Sequence, residues 1–191
     1  MARKSKIEQK HVMTILLVFF MVSSVFGVIF YGFTSNEQKQ KYNGITFSLT
    51  SRGVEGKIAG KRELFSYFPA DVLDIELPDD IKNSLTEAQA VYITYNPNSS
   101  SVQEIAIAQY KLQDFFSNQN KYAITAMTKD GPLPTITCEN ASAFVPVVEL
   151  KEAESTTITS SNNCVLIEVG TDFDYERIVD RIRFALLGVI E

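Results

Sequence analysis

The sequence predicts an α+β chain, with an N-terminal transmembrane helix followed by one mixed-sheet domain. Three stretches carry that expectation: a charge-free run from Val12 to Phe33, a strand–helix–strand pattern between Ala90 and Thr128, and an amphipathic helix from Asp174. Residues 1–11 read as a cytoplasmic basic tail, 12–33 as the transmembrane helix, 34–43 as a juxtamembrane linker and 44–191 as an extracytoplasmic domain.

The run from Val12 to Phe33 has 22 residues, with Thr14, Ser23 and Ser24 as its clearly polar side chains. As a helix it would cover about 33 Å, slightly more than the hydrocarbon core of a bilayer. A helix is the one single segment that can cross, because it satisfies all of its own backbone groups. Arg3, Lys4, Lys6 and Lys10 precede the run, and Lys39 and Lys41 follow it. That bias expects the N-terminus in the cytoplasm and the domain outside. A cleaved signal peptide would need a shorter apolar region ending in a small-x-small site, which Val25-Phe26-Gly27 resembles only from within the run. Ser23 and Gly27 form a small-xxx-small pair of the kind that brings two helices together.

Beyond the linker, Ile45, Phe47 and Leu49 alternate as in a half-buried strand. With turns at Arg52-Gly53 and Gly60-Lys61, they suggest a three-stranded antiparallel meander over residues 44–68. Pro78-Asp79-Asp80 opens a short helix to about Ala88, with residue types suited to a helix N-terminus. AVYITYN is a β-branched and aromatic run expected in a central strand. Ser101 and Glu104 have capping-box spacing ahead of a helix whose apolar stripe includes Ile105, Leu112 and Phe116. KYAITAMT then returns as a strand, making a βαβ unit. TITC, AFVPVVEL, STTITSS and CVLIEV read as further strands, with Asn162-Asn163 as a hairpin turn. The closing helix buries Ile178, Val179, Ile182, Ala185, Leu186 and Val189.

Composition narrows the function classes. The net charge is −5, but residues 1–41 hold six basic and two acidic groups. Taking these from the totals of 18 and 23 leaves 12 basic and 21 acidic, a net −9 for residues 42–191. Such a domain is a poor partner for nucleic-acid phosphate, which needs clustered Lys and Arg. The expected partners are the lipid bilayer, through residues 12–33, and an envelope or membrane protein.

Cys138 and Cys164 are both expected on the external side, where an even pair reads as a disulfide worth roughly 3 kcal/mol. Two free buried thiols are the alternative. The sole histidine, His11, precedes the apolar run. The domain therefore lacks an imidazole for Ser-His-Asp or Cys-His catalysis, or for zinc sites of the usual kinds. A Ser-Lys dyad or paired carboxylates remain. Asp71 with Asp74, or Asp79 with Asp80, could be posed as glycosidase carboxylates, although turns and helix starts explain aspartate there as well. Tyr42, Tyr92, Tyr95 and Tyr110 could stack on sugar in place of the absent tryptophan. Asp172 and Asp174 lack the remaining spacing of a calcium loop, and no cofactor motif is present. Asn98-Ser99-Ser100 and Asn140-Ala141-Ser142 are sequons, which makes Asn98 and Asn140 glycosylation candidates.

The stretch from TITCENASAFVPVVEL to DYERIVDRIRFALLGVIE resembles the ending of single-span archaeal membrane proteins that have no assigned activity. The likeness rests on the two cysteines, the VPV strand and the DRIRFALLGV helix. Tyr42-Asn43-Gly44 with Phe47, and Tyr67-Phe68-Pro69, are similar too. The resemblance implies an archaeal surface location and carries over no functional residue. Val145-Pro146 opening a strand, then a hairpin and a helix, also looks like the second half of a thioredoxin fold without its redox motif. That alternative needs a further helix between residues 128 and 143. The expected role is a membrane-anchored interaction or structural module of the cell envelope. A carboxylate-dependent hydrolase of envelope polymers and a small-ligand-binding domain are the alternatives.

Overall fold

The computed structural model describes residues 11–24, 38–170 and 174–191. The chain divides into two units, Met1–Gln38 and Lys39–Glu191. In the first, residues 11–24 form a helix, α1, whose described residues are all exposed. Among the described residues no helix is long and apolar enough to cross a membrane. Positions 25–33 of the expected span, and with them Gly27, lie outside the described residues.

The second unit is a mixed α+β fold with two sheets. The first is an antiparallel meander of β1 (Lys39–Tyr42), β2 (Ile45–Thr50), β3 (Gly53–Ile58) and β4 (Lys61–Phe65), in that order. It has four strands where three were expected, because β1 comes from the presumed linker. Asn43 and Gly44, both at positive φ, make the turn between β1 and β2. Such a pair suits the two-residue turn that joins twisted strands. One face of the meander is apolar, and on it the Phe47 ring lies over Gly56. A Cβ built at Gly56 would come within 2.5 Å of that ring.

The second sheet contains β5 (Ala90–Tyr95), β6 (Tyr122–Met127), β7 (Val147–Ala153), β8 (Thr157–Ser161) and β9 (Cys164–Gly170) in the order β6-β5-β7-β9-β8. All pairings are parallel except that of β8 with β9. The expected βαβ unit is present: α3 (Val102–Asn118) joins β5 to β6, and β5 sits inside the sheet. The Ser101 hydroxyl makes no capping bond, so the capping box does not form. Asn162 and Asn163, at φ 50° and 64°, make the β8–β9 turn as expected. The thioredoxin-like alternative is not formed. Residues 128–146 hold one short 3₁₀ turn, Cys138–Asn140, and β7 pairs parallel to β5. Gly131, Pro132 and Pro134 deny that stretch a helix. TITC, expected as a strand, supplies only a single bridge between Thr135 and Met127 before that turn.

Register assigns the side chains to two faces. Val91, Ile93, Val148, Leu150, Val165, Ile167 and Val169 share one face, and each is at most 1% exposed. This continuous apolar run is what a sheet face covered by helices requires. The opposite face carries Tyr92, Thr94, Glu149, Cys164 and Leu166, and is covered only in part, by residues 128–146.

Helix α2 (Asp79–Glu87) lies close to its expected bounds, and α4 (Tyr175–Leu186) is the closing helix. The Asp174 carboxylate caps α4 by accepting from the Glu176 N–H at 2.8 Å. Helix α4 departs from simple amphipathicity, since Asp180 and Arg181 are buried along with its apolar stripe. It joins the meander to the rest of the domain. Phe184 stacks on Phe65 at 4.1 Å and meets Phe47 edge-on at 5.7 Å, while the helix also contacts α2 and α3. A helix covered on several sides needs partners for its polar groups. Asp180 accepts from the N–H groups of Ser66 and Tyr67 and from Arg183, and Arg181 donates to the carbonyls of Ile75 and Glu191.

Candidate functional site

The partly open face of the mixed sheet is one surface with the shape of a site. Its cover, residues 128–146, must run back along the sheet because β6 and β7 both lie parallel to β5. Backbone, side-chain and covalent fasteners hold it there. Met127 exchanges backbone hydrogen bonds with Pro134 and Ile136, and the Thr94 hydroxyl donates to the Ile136 carbonyl at 2.8 Å. The Tyr92 N–H donates to the Pro146 carbonyl at 3.0 Å. The disulfide Cys138–Cys164 is the covalent fastener, with its Cα atoms 5.2 Å apart. It ties the crossover to the first residue of β9, as the two cysteines in the sequence led one to expect.

Glu149 lies half-buried beside this bridge, with a carboxylate oxygen 3.3 Å from Cys138 Sγ. Burial pushes its pKa above the usual carboxylate range, partly offset by Lys151. Cys138, Glu149 and Cys164 bring potential ligand atoms within 4.8 Å of one another. The donor set does not suit a metal in this state, because a cation needs thiolates and both sulfurs are committed to each other. An open cavity of about 540 Å³ adjoins the bridge, between Cys138, Glu139 and Ala141 on the crossover and Thr159, Ser161 and Leu166 on the sheet. Sequence reasoning found the cysteines but missed Glu149, whose burial depends on strand register.

A second surface contains the Ser-Lys arrangement left open by the composition. Lys111 Nζ donates to Ser66 Oγ at 3.2 Å, and Ser66 Oγ donates to Glu176 at 2.6 Å. Lys111 also pairs with Glu176 at 2.7 Å. A lysine acting as base needs a free amine aimed at the hydroxyl, whereas the Lys111 amine is engaged with both Ser66 and Glu176, and Ser66 Oγ donates to the carboxylate. Burial pushes the Glu176 pKa up, but hydrogen bonds from Lys111 and Ser66, with the Lys111 charge, bring it below the usual range. This is the chemistry of an ion-paired strut between α3, α4 and the end of β4.

The third surface is a groove of about 430 Å³ between Asp74–Pro78 and the start of β8. The four aspartates posed as glycosidase carboxylates lie near it but serve local structure. All four are exposed. Asp71 accepts from the Phe68 N–H, Asp74 pairs with Arg177 at 2.6 Å, and Asp79 and Asp80 occupy the first turn of α2. Asp80 also accepts from the Ser160 hydroxyl. The four tyrosines do not share a platform: Tyr95 is buried on the helix-covered face, Tyr92 is on the opposite face, and Tyr110 is exposed on α3.

Asn98 and Asn140 are both exposed, in a turn and in the 3₁₀ segment respectively. Asn140 Oδ1 accepts from the Thr137 N–H at 2.9 Å, which leaves its Nδ2, the atom that carries a glycan, outside that bond. Compared with known proteins, the chain matches no family model, and no curated protein or solved structure is similar enough to count as a match.

Proposed function

We propose that this chain is a membrane-tethered interaction or structural module whose domain works at the outer face of a cell membrane. The observation that carries the proposal is α1 and its continuation in sequence. Residues 11–24 are helical, and the charge-free run extends to Phe33. A helix that is apolar on every side needs a protein interior or a lipid interior around it, and residues 11–24 are exposed. The basic groups ahead of the run favour a cytoplasmic N-terminus. The disulfide supports an oxidising location for the domain. The ion-paired Lys111 and the locally engaged aspartates favour a binding or structural role over hydrolysis.

Protease added to intact cells tests the placement. The domain should be removed without opening the membrane, and resistance that ends only on lysis would overturn it. Capture of the tagged full chain from detergent extract tests the role. A reproducible envelope or membrane protein partner is the expected result, and its absence would count against an interaction module.

A further inference from the structure

Every sheet edge offers unpaired backbone groups to another chain, and proteins usually guard them with charge, bulges or cover. Among the described residues, charge on the strand or bonded backbone guards three of the four edges. β1 carries Lys39 and Lys41, and β4 carries Lys61 and Arg62. On β6, the backbone of Met127 is bonded to Pro134 and Ile136, and the Ala123 carbonyl accepts from Gln113. The fourth edge is β8, Thr-Ile-Thr-Ser-Ser, with no charge, no proline and a β-branched start.

The β8–β9 turn determines which groups of β8 are available. Asn162-Asn163 is a two-residue turn, so Ser161 and Cys164 form the closing hydrogen-bonded pair. Alternation then directs the N–H and C=O of Thr159 and Thr157 toward β9 as well. Those of Ile158 and Ser160 face outward, and among the described residues the structure gives them no hydrogen-bond partner. The groove of about 430 Å³ runs along this edge beside Thr156–Thr159. Ile75, Pro78 and Ile158 supply its apolar surface, and Asp74 and Glu76 stand on its far wall. Asp80 lies at the Ser160 end. Two carboxylates, Asp74 and Glu76, therefore line the groove and a third, Asp80, stands at its end, while the guanidiniums of Arg177 and Arg181 bond Asp74 and the Ile75 carbonyl.

We infer that the β8 edge takes up an extended, lysine- or arginine-bearing polypeptide segment of another protein as a sixth strand of the mixed sheet. Backbone hydrogen bonds to Ile158 and Ser160 supply affinity, and the groove receives alternate side chains. Charge decides the class of occupant. A basic segment neutralises Glu76 and Asp80, whereas a second copy of this acidic edge would bring like charges together. The inference rests on reading the domain as an interaction module and names the surface it would use.

The probe is a fluorescein-labelled octapeptide of alternating lysine and valine, titrated against the full chain in nonionic detergent. Saturable binding that weakens with salt is expected, with slowed hydrogen exchange at the Ile158 and Ser160 amides. Ser160→Pro removes an outward N–H from an exposed position and should weaken binding at least tenfold. Glu76→Lys should weaken it about fivefold. Methylating alternate backbone nitrogens of the peptide should abolish binding to the unaltered protein, which guards against a misfolded variant. Absence of binding, equal binding by Ser160→Pro, or unslowed Ile158 exchange would overturn the inference. So would self-association of the free chain through the same amides, which would make a second copy the occupant. Envelope partners captured equally well by Ser160→Pro would overturn the edge while leaving the module standing. Peptide binding without any captured partner would do the reverse.

Discussion

Removing the Cys138–Cys164 bridge by a double Cys→Ala change should destabilise the domain without changing its topology. The bridge closes a loop with a sequence separation of 26. The chain-entropy relation converts a loop of that size to about 3.5 kcal/mol at 25 °C. Alanine at position 164 also forfeits some packing, since Cys164 is only 3% exposed. For a domain of this size the sum lowers Tm by about 10 °C. The remaining fasteners, from Thr94 to Ile136 and from Met127 to Pro134, keep the crossover in place. The assay is urea unfolding of the full chain in detergent, followed by circular dichroism because the chain has no tryptophan. The wild type measured with a dithiol reductant should lose the bridge's share alone, and so remain slightly more stable than the double variant. A loss below about 1 kcal/mol would refute the argument, because the bridge would then not be restricting the unfolded chain. Loss of the sheet signal before unfolding would refute it differently, by showing that the bridge holds the crossover alone.

Gly56→Ala places a methyl against the Phe47 ring, which is confined by Phe65 and Phe184. Overpacking there should cost about 1–3 kcal/mol in urea unfolding, and Phe47→Leu in the same chain should recover part of it. Asp180→Ala strands two N–H groups and leaves the largely buried Arg183 to its pairing with Glu63, so a loss of about 3 kcal/mol is expected, with a smaller loss for Asn. Glu149 gives a pH signature. Burial raises its folded pKa, so its ionisation opposes folding: the cost is absent below the ordinary carboxylate range and complete above the raised value. Glu149→Gln should therefore raise Tm near pH 7 and leave it unchanged near pH 4, as read by thermal melts. An equal change at both pH values would mean that packing, and not charge, is being altered.

Local signals carried much of this architecture. Pro78-Asp79-Asp80 marks α2, the alternation of Ile45, Phe47 and Leu49 marks a meander strand, and Asn162-Asn163 marks a hairpin, because each depends on a few adjacent residues. Asn43-Gly44 is an equally strong hairpin signal, and it lies between KQKY and ITFS. Taking the polar KQKY as linker hid β1, whose burial pattern alternates between exposed and half-buried. Strand order was not legible. Nothing in CVLIEV announces that β9 inserts between β7 and β8, since that follows from non-local pairing. Burial of Asp180 and Glu149 was hidden for the same reason, as each is covered by elements far away in sequence. The candidate site divides likewise: the cysteines were legible from their number, whereas the open β8 edge exists only once the sheet order is known.

Helix α4 has a consequence for the timing of assembly. The Phe184 ring completes the aromatic cluster with Phe47 and Phe65, and Asp180 receives the backbone at Ser66 and Tyr67. Ribosomes deliver residues 175–186 after every strand. Until they emerge, the meander has no Phe184 to close against and its oily side faces water. A nascent chain in that state is sticky, and chaperones or proteases at the exit site would meet it before the side chains of α4 bring the parts together.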